Sequence, residues 1–200
     1  MGKRMRTYEE VIKESPVTYD MYANMVDDGN RYEISDGVLE LMSPAPTPKH
    51  QSITYELQYL LNASCRNEFI IFSSPLDVIL SDTEVRQPDL VMIHRSRISI
   101  ISRRGINSSP DIVVEVTSEH SRRRDKVDKR IAYAKYGVPE YWIVGLTNFT
   151  LEQHVLSGDH YELAQVYAED EVIRSQTVPC VSFSMNEVVQ SLPIPPDMLD

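Results

Sequence analysis

In the stretch PDIVVEVTSEHSRRRDK, residues 110–126, an acid closes an apolar run: Ile112, Val113 and Val114 lead into Glu115, and Val116 follows. Side chains alternate along an extended chain, so Asp111, Val113, Glu115 and Thr117 share one face and Ile112, Val114 and Val116 the other, dry one. A carboxylate buried there needs a cation, either a metal ion or a basic side chain. The carboxyl end of a strand is also where open α/β sheets gather their ligands. A second acid, Asp89, opens the run DLVMI. If the two runs are neighbouring strands, Asp89 and Glu115 converge. Two such carboxylates repel unless a proton or a divalent cation lies between them, and hard oxygen ligands suit Mg²⁺ or Mn²⁺ better than zinc. In the next segment Asp125, Lys129 and Tyr133 recur every four residues and share a helical face. From there Lys129 can reach back over the strand end, to orient a water or to stabilise charge developing on a phosphate.

The elements that must position these groups follow from pattern and punctuation. TYEEVIKESP reads as a short helix from Thr7 to a stop at Pro16. RYEISDGVLELM reads as a hairpin turning at Asp36-Gly37. SPAPTP is a loop, because three prolines cannot continue a strand or a helix. From His50 to Asn67, Ile53, Leu57, Leu60 and Leu61 recur at helical spacing. FIIFSSPLDVIL reads as one strand bent near Pro75 or as two short ones. QPDLVMIH and PDIVVEV read as central strands covered on both faces. SRRRDKVDKRIAYAKYGV reads as a helix ending at Gly137, EYWIVG as a buried strand, and Leu151 to Leu163 as a second hairpin turning at Ser157-Gly158-Asp159. A short helix capped by Ser184 closes the domain, and PIPPD frays. The pattern is α/β with a mixed β-sheet flanked by helices, in a single domain over residues 1–192 with residues 193–200 as a tail.

Bulk properties narrow the function. The chain has 200 residues, enough for one domain with a substantial core. No apolar run is long enough to span a membrane. The N-terminus starts basic without an apolar stretch, so no secretory signal is expected, and Arg6 stands where myristoylation wants Ser or Thr. Two distant cysteines, Cys65 and Cys180, give neither a disulfide framework nor zinc-finger spacing, and a reducing cytoplasm is the expectation. The net charge of −10 argues against a generic nucleic-acid coat protein. Its distribution is uneven. Residues 95–136 hold 11 Lys or Arg against 5 acids, a local +6 that leaves −16 elsewhere. Such a stripe is either a phosphate-binding face, with Arg122, Arg123, Arg124 and Lys126 at its centre, or a solvated, salt-bridged surface.

Taken in order, YEISDGVLELMSP, His50 opening a helix, RQPDLVMI, PDIVVEVTS and RRRDKVDKRIAYAKYGVPEYWIV resemble the Uma family of restriction-endonuclease-like proteins, within the PD-(D/E)XK nuclease superfamily. The resemblance spans about residues 31 to 145. It implies a restriction-endonuclease-like core and Mg²⁺-supported hydrolysis of a phosphodiester bond by an activated water. It also implies Asp89 and Glu115 as metal ligands, with Glu33 or His50 as an accessory group. At one point the chain departs from the superfamily pattern. Thr117 stands where a lysine is expected two residues after Glu115, and Lys129 on the helix is the natural substitute. DNA is the implied partner, with the basic stripe holding its backbone. A homodimer is the simplest way to cut both strands. A catalytically degenerate nuclease fold, serving as a nucleic-acid-binding or protein-interaction module, is the alternative. A phosphoesterase acting on small substrates is a third.

The remaining polar residues read as structural. Asp111 lies at the far end of its strand, and Thr117 either assists a water or caps the following turn. His94, His120, His154 and His160 show no metal spacing and read as surface. Tyr133, Tyr136, Tyr141 and Trp142 read as core. Ser118 and Ser121 lack a triad context, and no glycine-rich phosphate loop is present.

Overall fold

The structure is a computed structural model and describes residues 15–42, 45–117 and 125–193. The helix expected from Thr7, the tail after residue 193 and the basic run Arg122, Arg123 and Arg124 lie outside the described residues, as does the side chain of Lys126.

A short helix, α1 (Tyr19–Ala23), precedes the hairpin β1 (Tyr32–Ser35) and β2 (Val38–Leu41). The hairpin turns on Asp36 and Gly37, both with positive φ (48° and 80°), as the tightest hairpin turns require. Helix α2 (Pro48–Cys65) starts on Thr47, whose side chain accepts from the His50 amide, with Pro48 in the first turn where its missing N–H costs nothing. Five strands follow: β3 (Phe69–Ser73), β4 (Val78–Ser81), β5 (Glu84–Arg86), β6 (Leu90–His94) and β7 (Ile112–Thr117). A wide π turn over Asp125–Lys129 runs directly into α3 (Arg130–Lys135). Then come β8 (Glu140–Gly145), the hairpin β9 (Leu151–Ser157) and β10 (His160–Tyr167), and α4 (Met185–Gln190), which carries a full capping box between Ser184 and Glu187.

The strands form two sheets. The smaller has the order β2-β1-β5-β4 and the larger β10-β9-β8-β7-β6-β3. In the larger sheet only β7 and β8 run parallel, so the chain between them crosses over by way of α3. Every residue of β7 and β8 is buried, as expected of strands covered on both faces. On one face Ile112, Val114 and Val116 pack with Trp142 against Ile53, Leu57 and Leu61 of α2 and Val188 of α4. On the other, Val113 packs with Tyr133 and Ala134 of α3 and with Val78 of the smaller sheet. The alternation read from residues 111–117 therefore holds.

The bent run FIIFSSPLDVIL is two strands that belong to different sheets, β3 to the larger and β4 to the smaller. Strand β5 was not legible in the sequence, because three residues between a turn and Pro88 carry no periodicity. Its position matters. The chain leaves the smaller sheet at Arg86, passes through Gln87, Pro88 and Asp89, and enters the larger sheet at Leu90.

Two further expectations are corrected. Cys65 at the end of α2 and Cys180 ahead of α4 form a disulfide across 115 residues of chain, because the packing of α2 on α4 brings their Cα atoms to 5.3 Å. His154 is buried, stacked on Tyr141 at 6.1 Å between ring centroids, and is not a surface residue.

Candidate active site

Glu115 lies on the face of β7 that looks toward α3, and its Oε1 accepts hydrogen bonds from Lys129 Nζ at 2.7 Å and from the Tyr133 hydroxyl at 3.0 Å. The spacing of four residues read from the sequence thus delivers both groups to one carboxylate oxygen. Lys129 ends the π turn and Tyr133 lies one turn further on, in α3. A π turn is wider than an α turn and is frequent at functional sites.

A second carboxylate arrives from the other sheet. Glu33, on β1, places its Oε1 3.3 Å from Lys129 Nζ and accepts the Gln87 amide on the same oxygen at 2.9 Å. Its Oε2 faces Arg86 Nη1 at 3.6 Å. Arg86 is itself held by Glu84 Oε1, at 2.7 Å from Nε and 2.6 Å from Nη2, and donates to Ser35 Oγ at 2.7 Å. Glu84 reaches the hairpin turn by accepting the Asp36 amide. A chain of alternating charges therefore runs from the smaller sheet to the larger: Glu84, Arg86, Glu33, Lys129, Glu115.

Asp89 completes the group. Leu90 pairs with Val114 in the antiparallel register of β6 and β7, which sets Asp89 opposite Glu115. The neighbouring-strand condition posed by the sequence is met. Asp89 Oδ2 accepts the Val116 amide at 2.7 Å and lies 3.2 Å from His50 Nε2, which comes from the first turn of α2. Exposure orders the site. The side chains of Glu33, Glu115 and Lys129 are 2%, 5% and 7% accessible, whereas those of His50 and Asp89 are 15% and 17%. Asp89 and His50 are thus the more exposed pair, and the lysine with its two glutamates the more buried group.

Burial sets the protonation of the surrounding groups. Burial first, and then the charges of Glu115 and Glu33, push the Tyr133 hydroxyl well above its usual range, so it stays a donor. Burial works against the charge of Arg86, but Glu33 and Glu84 outweigh it and raise its hold on the proton. Glu140, equally buried at the start of β8, offers a contrast. It takes four neutral donors: Trp142 Nε1, Gln153 Nε2, Ser175 Oγ and the Thr177 amide. A carboxylate buried purely for structure is satisfied this way, whereas Glu115 is held by a lysine.

The structure brings together five of the residues singled out from the sequence: Asp89, Glu115, Lys129, Glu33 and His50. It does not bring Thr117 into the group, since its hydroxyl donates across to the Val144 carbonyl of β8. Asp111 is structural as expected, taking the His94 amide and Arg97. Part of the basic stripe is committed to local bonds: Arg95 to the Arg66 carbonyl, Arg97 to Asp111 and Arg130 to the Tyr161 carbonyl. Arg86 and Gln87 were missed, because they sit on and just after the unrecognised β5. Tyr133 was read as core, which its burial bears out, but its hydroxyl is also part of the site.

The Uma2 family, described as "Putative restriction endonuclease", matches residues 18–186. The chain belongs to this family. A crystal structure from Anabaena variabilis ATCC 29413, described as "a putative nuclease belonging to DUF820", aligns with a TM-score of 0.70 over 86% of this chain and 97% of that one, at 19% identity. The two share a fold, a mixed α/β single domain. No curated protein matches the chain in sequence. In this Uma2 chain the acids and the lysine gather where the two sheets meet.

Proposed function

We propose that the protein is a metal-dependent DNA endonuclease that hydrolyses phosphodiester bonds. One observation carries this reading: Lys129 Nζ at 2.7 Å from Glu115, on a strand whose neighbour presents Asp89. Two acids beside a lysine are what the restriction-like reading calls for, and this arrangement supports it, although the lysine would come from the helix and Thr117 occupies its usual place.

Asp89 and Glu115 would hold Mg²⁺ or Mn²⁺. They offer hard carboxylate oxygens from opposed strand positions, and Mg²⁺ commonly takes one or two protein carboxylates while keeping several waters. Among the described residues no group of three or more His, Cys, Asp or Glu could hold a metal ion, so this part of the proposal rests on two carboxylates with water completing the shell. When bound, such an ion polarises the scissile phosphate and makes a bound water a better nucleophile. The chain's own residues do the rest. Lys129 balances the charge of Glu115 before the metal arrives, and its ammonium stays beside the site to face charge developing on the phosphate. Tyr133 fixes the carboxylate's orientation. His50 and the Val116 amide converge on one oxygen of Asp89 and set the plane of that carboxylate. Glu33 backs Lys129, and Arg86 backs Glu33.

Within this reading Arg122, Arg123, Arg124 and Lys126 hold the DNA backbone and the active form is a homodimer. No helix among the described residues is long and apolar enough to cross a membrane. The second reading, a degenerate nuclease fold that binds nucleic acid or protein, is favoured by Thr117 at the expected lysine position and by the net charge of −10.

Cleavage of supercoiled plasmid and of single-stranded DNA with Mg²⁺ or Mn²⁺, wild type beside Glu115→Ala, tests the proposal. Cutting that vanishes in the variant supports it. Equal cutting by both preparations means a contaminant or another site. No cutting by either, with no metal binding by calorimetry, favours the binding module.

A further inference from the structure

Glu115 already has a cation. Lys129 is 2.7 Å from its carboxylate, and both side chains are more than nine-tenths buried. The same ammonium is 3.3 Å from Glu33, which is buried more deeply still and is steadied from behind by Arg86. The lysine therefore stands between two carboxylates on different sheets, nearer to one than the other. A divalent cation entering at Glu115 meets a like charge in contact with its ligand, in a setting where solvent screens little. Retaining both cations on one carboxylate is unfavourable. Expelling Lys129 to solvent is unfavourable too, since Glu33 would lose its nearest lysine.

We propose that Lys129 is an exchangeable counter-ion: it neutralises Glu115 until a divalent cation binds there, and Glu33 is the second seat onto which it then shifts. The inference rests on the metal site of the nuclease reading, but goes beyond it in giving Glu33 and Lys129 a role in metal entry. Glu33 is thus a positioning residue. Its carboxylate, 3.3 Å from Nζ, gives the lysine an ion-pair partner as it leaves Glu115. Arg86 keeps Glu33 in place, so the second seat is ready before the metal arrives. The position of Lys129 at the end of a π turn, where the helix is wide, suits a side chain that must move between two partners.

The test is Mn²⁺ binding to the full chain without DNA, by titration calorimetry and by the loss of the free-ion paramagnetic resonance signal. The set is wild type, Glu115→Gln, Lys129→Met, Lys129→Gln, Glu33→Gln and the double variant Glu33→Gln/Lys129→Met. Far-ultraviolet dichroism and a melting curve establish that each is folded. The two lysine substitutions differ in polarity, so one serves if the other does not fold. Removal of the competing ammonium is expected to tighten Mn²⁺ binding about tenfold or more. Glu33→Gln is expected to weaken binding when Lys129 is present, because the lysine then loses the carboxylate 3.3 Å away. It is expected to change little when Lys129 is already Met. That non-additivity separates a second seat from the simple attraction of a nearby negative charge, which weakens binding alike in both backgrounds.

Lysine variants that bind Mn²⁺ no tighter than wild type overturn the exchange. So does an equal effect of Glu33→Gln in both backgrounds. If Glu115→Gln binds Mn²⁺ as well as wild type does, the metal site of the nuclease reading fails, and this inference with it. A chain that shows the expected pattern but cuts no DNA supports the exchange while removing the nuclease activity.

Discussion

Replacing Lys129 by Met takes its ammonium away from two buried glutamates, and the cost can be worked from two distances. Nζ lies 2.7 Å from Glu115 and 3.3 Å from Glu33. With an effective dielectric of about 20, those separations correspond to gross attractions of about 6 and about 5 kcal/mol. Desolvating the ammonium and the carboxylates removes most of this gain, and breaking a buried pair by deleting one partner typically costs about 3–5 kcal/mol. For a chain of this size each kcal/mol lowers the midpoint by about 2–4 °C, so a drop of about 6–20 °C is expected. Urea unfolding followed by fluorescence of Trp142 and by dichroism reads both the free energy and the cooperativity. The control is Lys135→Met, whose partner Asp36 lies at 3.6 Å with both side chains mostly exposed, and whose loss should not be measurable. The double change Glu115→Gln/Lys129→Met should be less harmful than Lys129→Met alone, because it removes the stranded charge as well. If Lys129→Met costs no more than Lys135→Met, the buried network is not holding the two sheets together and the electrostatic account of the site is wrong.

Other outcomes follow from the same geometry. Tyr133→Phe removes a donor to a charged acceptor and should cost about 1.5–3 kcal/mol, read from urea curves near neutral pH. The raised hydroxyl of Tyr133 gives that residue a pH signature. The folded state holds the proton more tightly than the unfolded chain does, so its contribution to stability is complete below about pH 10 and is lost as pH rises beyond it. Melting temperatures from pH 9 to 11.5 should fall less steeply in Tyr133→Phe than in wild type, and identical slopes would remove the residue from the account. Closing 115 residues of chain by Cys65–Cys180 is worth about 4–5 kcal/mol in the chain-entropy description, so Cys180→Ser, or reduction of the wild type, should lower the melting temperature markedly. Free-thiol titration of the denatured chain checks that the bridge is formed. His50→Ala should leave stability nearly unchanged, since its partner Asp89 is part-exposed, yet lower plasmid cleavage and Mn²⁺ affinity together by releasing the Asp89 carboxylate.

Much of the fold was legible locally. Asp36-Gly37 dictates a tight hairpin because both residues tolerate positive φ, and the spacing of Ile53, Leu57, Leu60 and Leu61 announces the following helix, although its cap Thr47 and its first residue Pro48 read as loop. The unbroken apolar runs of β6, β7 and β8 announce strands covered on both faces. The misses have one cause: they depend on what a short segment touches. Strand β5 has three residues and no period of its own, and it exists because β1 and β4 flank it. His154 shows no metal spacing and reads as surface until Tyr141 and the rest of the sheet cover it. Two cysteines 115 residues apart carry no spacing signal, and only the docking of α2 on α4 brings them together.

For the site, the sequence by itself determined that Glu115 needs a cation and that Lys129 and Tyr133 share a helical face. Both follow from side-chain periodicity, which is a local property of strand and helix. It also allowed Asp89 to converge with Glu115, on condition that their strands be neighbours. The tertiary structure met that condition through the antiparallel register of β6 and β7. It alone decided that Lys129 faces Glu33 as well as Glu115. Glu33 lies 82 residues before Glu115 in a separate sheet, and what carries it to the lysine is the pairing of β1 with β5 and the run from Arg86 to Asp89 that joins the two sheets. A carboxylate on an exposed-looking hairpin becomes the most buried acid of the site because long-range strand pairing, which no local pattern encodes, places it there.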